Sequence, residues 1–376
     1  MDGGLASELD RRFMAAATRL SRRNLGLTGT NPSVGTLIVR DGRIVGSGVT
    51  AIGGRPHAEP QALAEAGAAA RGATAYVTLE PCAHHGRTPP CANALVSSGI
   101  TRVVGAAADP DPRVSGKGYA ILREAGIEVV EGVLAEEAAD MLRGYLTRSL
   151  NKRPEVTLKL ALSADGMIGR IGEGQVAITG PVSRRQVHMM RAESDAILVG
   201  IGTALADDPL LTCRLPGLEG RSPLRVVLDR GMKLPVQSVL AQSARDVPVL
   251  VTAAEDCRPE RRKALSEAGV DFLGVELHDG EIALPEFLED LAARGVLSLM
   301  VEGGAFTARM FLEEGLVDRL ALFIGPSEIG AGGIAAPIDS DHIPEGFDLL
   351  REARFGDDVY LEYVKGGLCS PALSLT

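Results

Sequence analysis

Short apolar strands alternate with helices across residues 34–130. The pattern then stops at Asn151-Lys152-Arg153-Pro154, a polar stretch ending in a breaker, and restarts at residue 155. Strand–helix alternation of this kind specifies layered α/β domains, because each helix must bury one face against the sheet it connects. The break specifies two such domains, and 376 residues leave room for both. We therefore expect one domain over residues 1–152 and a second over 153–366.

In the first half, residues 6–24 read as an amphipathic helix. Segments 34–39 and 44–49 flank Asp41-Gly42, a hairpin turn pair. An Ala-rich helix follows over 57–70, stopped by Gly72. Strands are expected at 75–79, 102–107 and 127–130, helices at 91–98 and 119–125, and one long closing helix at 136–150. The order predicts a three-layer α/β/α domain. In the second half strands are expected at 155–162, 196–200, 225–228, 247–251, 297–301 and 319–324. Helices fall at 181–193, 259–268, 285–293 and 305–314. A hairpin over 347–355 and 359–364 turns at Gly356-Asp357-Asp358, and a loose tail begins near Gly366.

The first half also carries a metal-ligand pattern. His57-Ala58-Glu59 is followed by Pro81-Cys82 and Pro90-Cys91. A lone histidine or cysteine in such a chain is ordinarily a buried core residue. Three in this order, with both prolines in place, match the signature of zinc nucleobase deaminases, in which the glutamate is not a ligand. Zinc favours nitrogen and thiolate donors, and a catalytic site leaves the fourth position to water. His57, Cys82 and Cys91 are then the metal ligands. Glu59 is the catalytic residue, taking the water's proton and returning it to the ring and the departing ammonia. A helix starting at Cys91 would favour the thiolate form.

The formal net charge of −10 is a poor match for a nucleic-acid partner, whose phosphates need a basic surface. That weighs against an RNA-editing deaminase and for a small-molecule substrate. No apolar run reaches the length of a membrane span, and the first residues, with Asp2, Glu8 and Asp10, lack the apolar core of a secretion signal. A cytoplasmic location follows as the expectation, in which the five cysteines stay reduced. Cys213, Cys257 and Cys369 show no ligand spacing.

Eight residues separate the two cysteines in Glu80-Pro81-Cys82-Ala83-His84-His85-Gly86-Arg87-Thr88-Pro89-Pro90-Cys91. This long loop resembles the deaminase half of the bifunctional riboflavin-biosynthesis deaminase/reductase family. Asn31-Pro32-Ser33-Val34-Gly35 and the stretch from Asp109 to Gly118 resemble it as well. The resemblance implies a cytidine-deaminase-like fold and a ribosyl phosphate gripped by the cysteine loop. His84 and Arg87 would be its anion partners, and Asn31 would hydrogen-bond the ring.

The second half lacks Gly-x-Gly-x-x-Gly, but Val301-Glu302-Gly303-Gly304-Ala305 ends a strand on a glycine pair that opens a helix, a geometry suited to phosphate. Several further stretches look like the reductase half of the same family: Leu158 to Gly166, Ile178-Thr179-Gly180, Arg191 to Thr203, and Asp207 to Arg214. That half is similar in fold to dihydrofolate reductase and uses NADPH. The resemblance implies that Gln175, Arg191, Leu211, Arg214 and Glu302 hold the substrate, the arginines suiting its phosphate. Leu162, Ala177, Thr203, Asp207, Gly304 and Ala305 would line the cofactor. Gln175-Val176-Ala177 departs from the Ser-x-Trp common in the family, which removes an aromatic stacking surface. Asp207 or a water is the candidate proton donor to the sugar oxygen. A homodimer or larger homo-oligomer is also implied.

Overall fold

The computed structural model describes residues 6–84, 89–254 and 258–366. The chain divides into two compact units, one ending at Lys152 and one running from Arg153 to Gly366.

The first unit runs α1 (Glu8–Ser21), β1 (Gly35–Arg40), β2 (Arg43–Val49), α2 (Ala58–Ala66), β3 (Thr74–Leu79), α3 (Cys91–Ser97), β4 (Arg102–Ala107), α4 (Lys117–Glu124), β5 (Glu128–Val130), α5 (Ala135–Met141) and α6 (Arg143–Asn151). Its sheet has the order β2-β1-β3-β4-β5. The hairpin edge is antiparallel, whereas β3, β4 and β5 run parallel. Ser7 caps α1 through a reciprocal bond with Asp10. The buried Asp10 carboxylate also takes two bonds from Arg102 and one from Tyr76, which ties α1 to β3 and β4.

Two glycines on β2 set the seat of α2. A Cβ at Gly48 would come within 2.1 Å of the Ala58 carbonyl oxygen, and one at Gly46 within 2.2 Å of that of Ala62. With hydrogen there instead, the helix lies flat on the hairpin through Ala58, Ala62 and Ala66.

Two expectations for this unit need correction. The helix expected over 57–70 is α-helical only to Ala66; Gly67, with φ 52, ends it and a 3-10 turn follows. The single helix expected over 136–150 is two, broken at Leu142, whose side chain is buried in the core.

The second unit runs β6 (Glu155–Leu162), β7 (Met167–Arg170), α7 (Pro181–Glu193), β8 (Ala196–Gly200), α8 (Ile201–Asp207), β9 (Leu224–Leu228), α9 (Val239–Gln242), β10 (Val249–Ala253), α10 (Pro259–Ala268), β11 (Asp271–Gly274), β12 (Leu277–His278), β13 (Glu281–Ile282), α11 (Leu284–Ala293), β14 (Ser298–Val301), α12 (Ala305–Glu313), β15 (Arg319–Ile324), β16 (Gly333–Ala335), β17 (Phe347–Phe355) and β18 (Asp358–Lys365). Its main sheet has the order β11-β10-β9-β8-β14-β6-β15-β18-β17. It is parallel from β11 to β15 and antiparallel through β18 and β17. Central strands such as β8 are wholly buried apolar runs, as a sheet covered on both faces requires. The strand expected at 247–251 is shifted to Val249–Ala253. The short elements β7, α8, β11, β12, β13 and β16 carry too little periodicity to be expected from sequence.

Candidate active sites

In the first unit His57 precedes α2, and Cys91 is the first residue of α3. His57 Nδ1 lies 3.8 Å from Cys82 Sγ and 3.4 Å from Cys91 Sγ, and the three donor atoms fall within 4.8 Å of one another. A tetrahedral zinc with bonds of about 2.0–2.3 Å sets its ligands roughly 3.5 Å apart, so one ion fits between them. The Cys91 N–H donates to Cys82 Sγ at 3.3 Å. The adjoining Cys91 thiol and the His57 ring bring the Cys82 thiol down to about 4, while the Cys91 thiol is driven up by its neighbour and by burial. Glu59 is only 4 % exposed. Burial and then the Cys82 charge push its carboxyl up, and it accepts a hydrogen bond from the Cys91 thiol. Two sulfurs and a carboxylate packed this tightly call for a cation.

Asn31 packs against Gly54, where a Cβ would meet its Nδ2 at 2.3 Å, three residues before His57. His84 Nδ1 is buried without a hydrogen-bond partner, and its ring lies in the field of Asp111. Arg87 and His85 lie outside the described residues.

Glu80 and Asp109, whose sequence pattern assigns them no role, are buried acceptors beside this site. The buried Glu80 carboxylate accepts from the N–H groups of Gly116 and Gly118, each at 3.0 Å, and so clips the 109–118 loop to the segment carrying Cys82. Gly118 has no room for a side chain, since its Cβ would sit 2.0 Å from the Pro81 carbonyl oxygen. Asp109, buried beside this site, accepts from Tyr145 Oη at 2.9 Å and from the Asp111 N–H.

In the second unit a cavity of about 980 Å³ opens at the carboxyl ends of β6, β14, β8 and β9. Parallel sheets bind ligands there, and this volume is at the upper end for a cofactor site. Gln175, Thr203, Asp207, Glu302, Gly304 and Ala305 line it. Thr203 Oγ1 accepts the Gly304 N–H at 2.9 Å, which ties the start of α12 to α8. Burial raises the Asp207 carboxyl.

The remaining residues fall elsewhere. Leu162 has its side chain in the core and its carbonyl bonded to the Gly325 N–H, so it does not line the cavity. Ala177 is exposed and is passed over, while its neighbours Val176 and Ile178 face the space. Arg191, Leu211 and Arg214 stand outside the cavity wall, but Arg191 reaches it through Glu302. The guanidinium makes a bidentate pair, Nε to Oε1 at 2.8 Å and Nη2 to Oε2 at 3.0 Å, and Nη1 donates to the Thr212 carbonyl. Leu211, at φ 56, turns the chain so that this carbonyl faces Arg191. Arg214 is exposed, and burial together with the Arg191 charge lowers its pKa. Two arginines held near each other in this way suit a dianion.

Lys159 is the residue missed. It sits in the apolar strand β6, lines the cavity, and brings Nζ to 3.6 Å from Glu302 Oε2. A lysine inside a central strand is costly unless paired, and that was the available signal. Burial works against the Glu302 charge, but Arg191 and Lys159 hold its pKa down to about 2. Phe306, 63 % exposed, is an aromatic face in the same wall and also went unnoticed.

Residues 7–107 match the cytidine and deoxycytidylate deaminase zinc-binding region, and residues 154–361 match the RibD C-terminal domain. The riboflavin biosynthesis protein RibD of Aquifex aeolicus is 41% identical over 94% of this chain and 98% of its own length. That of Escherichia coli is 39% identical over 86% and 89%. The solved structure of Acinetobacter baumannii RibD, form 1, superposes with a TM-score of 0.83 at 36% identity, covering 96% of this chain and 99% of that one. A Thermotoga maritima structure, described as a diaminohydroxyphosphoribosylaminopyrimidine deaminase/5-amino-6-(5-phosphoribosylamino)uracil reductase, gives 0.82 at 35% identity over 95% and 99%. Among the described residues no helix is long and apolar enough to cross a membrane. With a zinc-binding deaminase region, a reductase domain of the NADPH-dependent type and relatives matched along nearly their whole length, the chain belongs to the RibD family of bifunctional riboflavin-biosynthesis enzymes.

Proposed function

We propose that the first unit deaminates 2,5-diamino-6-(5-phosphoribosylamino)pyrimidin-4-one to 5-amino-6-(5-phosphoribosylamino)uracil, and that the second reduces the ribosyl group of that product to ribityl. The observation that carries the first half is a buried Glu59 beside three converging donors, His57, Cys82 and Cys91. Zinc bound there supplies an activated water. Glu59, not needed as a ligand, would carry one proton of the attacking water to the ring nitrogen and the second, from the hydroxyl so formed, to the amine as the C–N bond breaks and ammonia leaves. Asn31 and the clipped 109–118 loop orient the pyrimidine. His84 and Arg87 take the phosphate.

In the second unit NADPH supplies the hydride. Gly304, Ala305 and Thr203, which line the cavity at the start of α12, hold its phosphates. Lys159 donates a proton to the sugar oxygen as the ring opens, a role better suited to its ammonium than to Asp207. Glu302 pairs with Lys159 and positions Arg191, and Arg214 meets the substrate phosphate.

Ammonia release and NADPH consumption, followed separately on the phosphoribosyl substrate, test this reading. NADPH loss should wait on deamination. Ammonia without NADPH loss would sink the reductase half. A Gly304→Asp variant sharpens the test. Asp is a favoured N-cap, so α12 is kept, but its carboxylate occupies the phosphate position. We expect ammonia release at the wild-type rate and NADPH affinity reduced at least 100-fold.

We further propose that the protein works in the cytoplasm as a homo-oligomer. None of Cys82, Cys91 and Cys213 is in a disulfide, in keeping with a reducing compartment. The outer strand β17 carries Leu349 and Leu350 about half exposed on the edge of the sheet, a surface that a second copy would cover. Sedimentation should give a dimer or larger, and Leu349→Lys with Leu350→Lys should shift it toward monomer. A wild-type monomer at micromolar concentration would refute the assignment.

A further inference from the structure

Residues 208–214, which carry Leu211 and Arg214, have no helix or strand of their own. Two of them stand in the left-handed region, Asp208 at φ 39 and Leu211 at φ 56. A side chain crowds its own backbone there, so the surroundings must hold the conformation. Both ends of the segment are tied. Asp208 Oδ1 accepts the Val239 N–H at 2.8 Å, and the Cys213 N–H donates to Ser222 Oγ at 3.1 Å. Between them the Leu210 carbonyl, next to the crowded Leu211, accepts from Arg225 Nη1 at 3.1 Å.

Arg225 is the second residue of β9 and is fully buried. Its Nη1 also donates to Ser243 Oγ at 2.8 Å. Its Nη2 donates to the carbonyls of Ser243, at 3.0 Å, and Val247. All four acceptors are neutral, and Nε has no partner among the described residues. Burial draws the guanidinium down to about 10, opposed by the Asp246 charge. A buried cation without a carboxylate is a poor choice for stability alone, since an apolar side chain fills such a space at less cost. The guanidinium fork does what an apolar residue could not. It bonds three separate stretches of chain at once: the 208–214 segment, the end of α9 and the approach to β10.

We propose that Arg225 is a positioning residue of the reductase, fixing the turn at Leu211 so that the substrate's phosphate meets Arg191 and Arg214 together. The relay is short. With Leu210 held, Leu211 packs into the core and the Thr212 carbonyl is sent to Arg191 Nη1 at 3.1 Å. The Arg214 N–H then lies 3.4 Å from Nδ1 of His188, on the same helix α7 that carries Arg191. Arg225 itself does not line the cavity and acts only through this segment. The inference rests on the reading that the two arginines grip the phosphate.

The test compares kcat/KM of reduction for 5-amino-6-(5-phosphoribosylamino)uracil with that for its counterpart lacking the phosphate, in one preparation of the full chain. Loss of folded protein lowers both values alike, so their ratio reports the phosphate grip alone. Arg225→Met is expected to lower the wild-type ratio about tenfold, through KM, the scale of one charge-assisted hydrogen bond misplaced. Arg225→Lys keeps the charge without the fork and should recover part of that loss. Arg214→Ala should lower the ratio at least as far. Adding Arg225→Met to it should lower the ratio no further, because both act through one contact. Should Arg225→Met fail to fold, Ser243→Ala, at a half-buried position, loosens the same guanidinium and is expected to lower the ratio about threefold. An unchanged ratio in the folded Arg225 or Ser243 variant, beside a reduced one in Arg214→Ala, overturns the role of Arg225. An unchanged ratio in Arg214→Ala means that the phosphate lies elsewhere, and the proposal falls with that reading.

Discussion

Glu59→Gln lowers deamination by about a thousandfold while zinc stays bound at one per chain. The magnitude is that of losing a positioned acid–base group. The amide fills the same buried space, so the site keeps its shape, but it can neither accept the water's proton nor return it. Metal content by atomic absorption and ammonia release should therefore part company. Cys82→Ser gives the opposite pattern, because it removes a donor from the three that converge within 4.8 Å: metal and activity disappear together. Loss of zinc from Glu59→Gln would make Glu59 a ligand, and undiminished turnover would remove it from the chemistry.

The second large effect is on the buried cluster of the reductase half. Glu302→Gln is expected to destabilise that unit by roughly 3–5 kcal/mol, because Arg191 and Lys159 are left buried without their counter-charge. The wild-type protein should show the same dependence through pH. The Glu302 carboxyl titrates near 2 when folded, against an unfolded value of about 4.5. A depressed folded pKa contributes stability above the unfolded value and loses it as pH falls through the folded one. The contribution is thus whole at pH 7 and erodes between about pH 4.5 and 2. Thermal melts across that window should converge for wild type and Glu302→Gln at the acid end. Parallel melting curves down to pH 2 would refute the account.

How far the sequence foretold this depends on where each residue's signal lies. His57, Glu59, Cys82 and Cys91 are legible because a metal demands particular donor types in a particular order, and the prolines mark their backbone. The strands with continuous apolar runs, such as β8, are legible because burial on both faces leaves no other composition. Of the two breaks, the one at Gly67 is a local glycine stop inside an Ala-rich run, at φ 52 with nothing packed against it, whereas the one at Leu142 gives no such signal, because a buried apolar residue fits a continuous helix equally well on paper. Lys159 was hidden for a different reason. Its partner Glu302 is 143 positions away, and only the β14–β6 pairing brings them together. Leu162 shows the converse: placed at a motif position, it turns its side chain to the core.

The glycine seat beneath α2 bears on how intolerance to substitution is interpreted. Any side chain at Gly46 or Gly48 would lift the helix that begins just after His57 and carries Glu59. In a mutational map scored on ammonia release, both positions would look as essential as the ligands, though neither is placed to touch the substrate. The apparent footprint of the deaminase centre would thus extend across the hairpin behind it, and a designer relying on that map would freeze two residues whose only duty is to leave space.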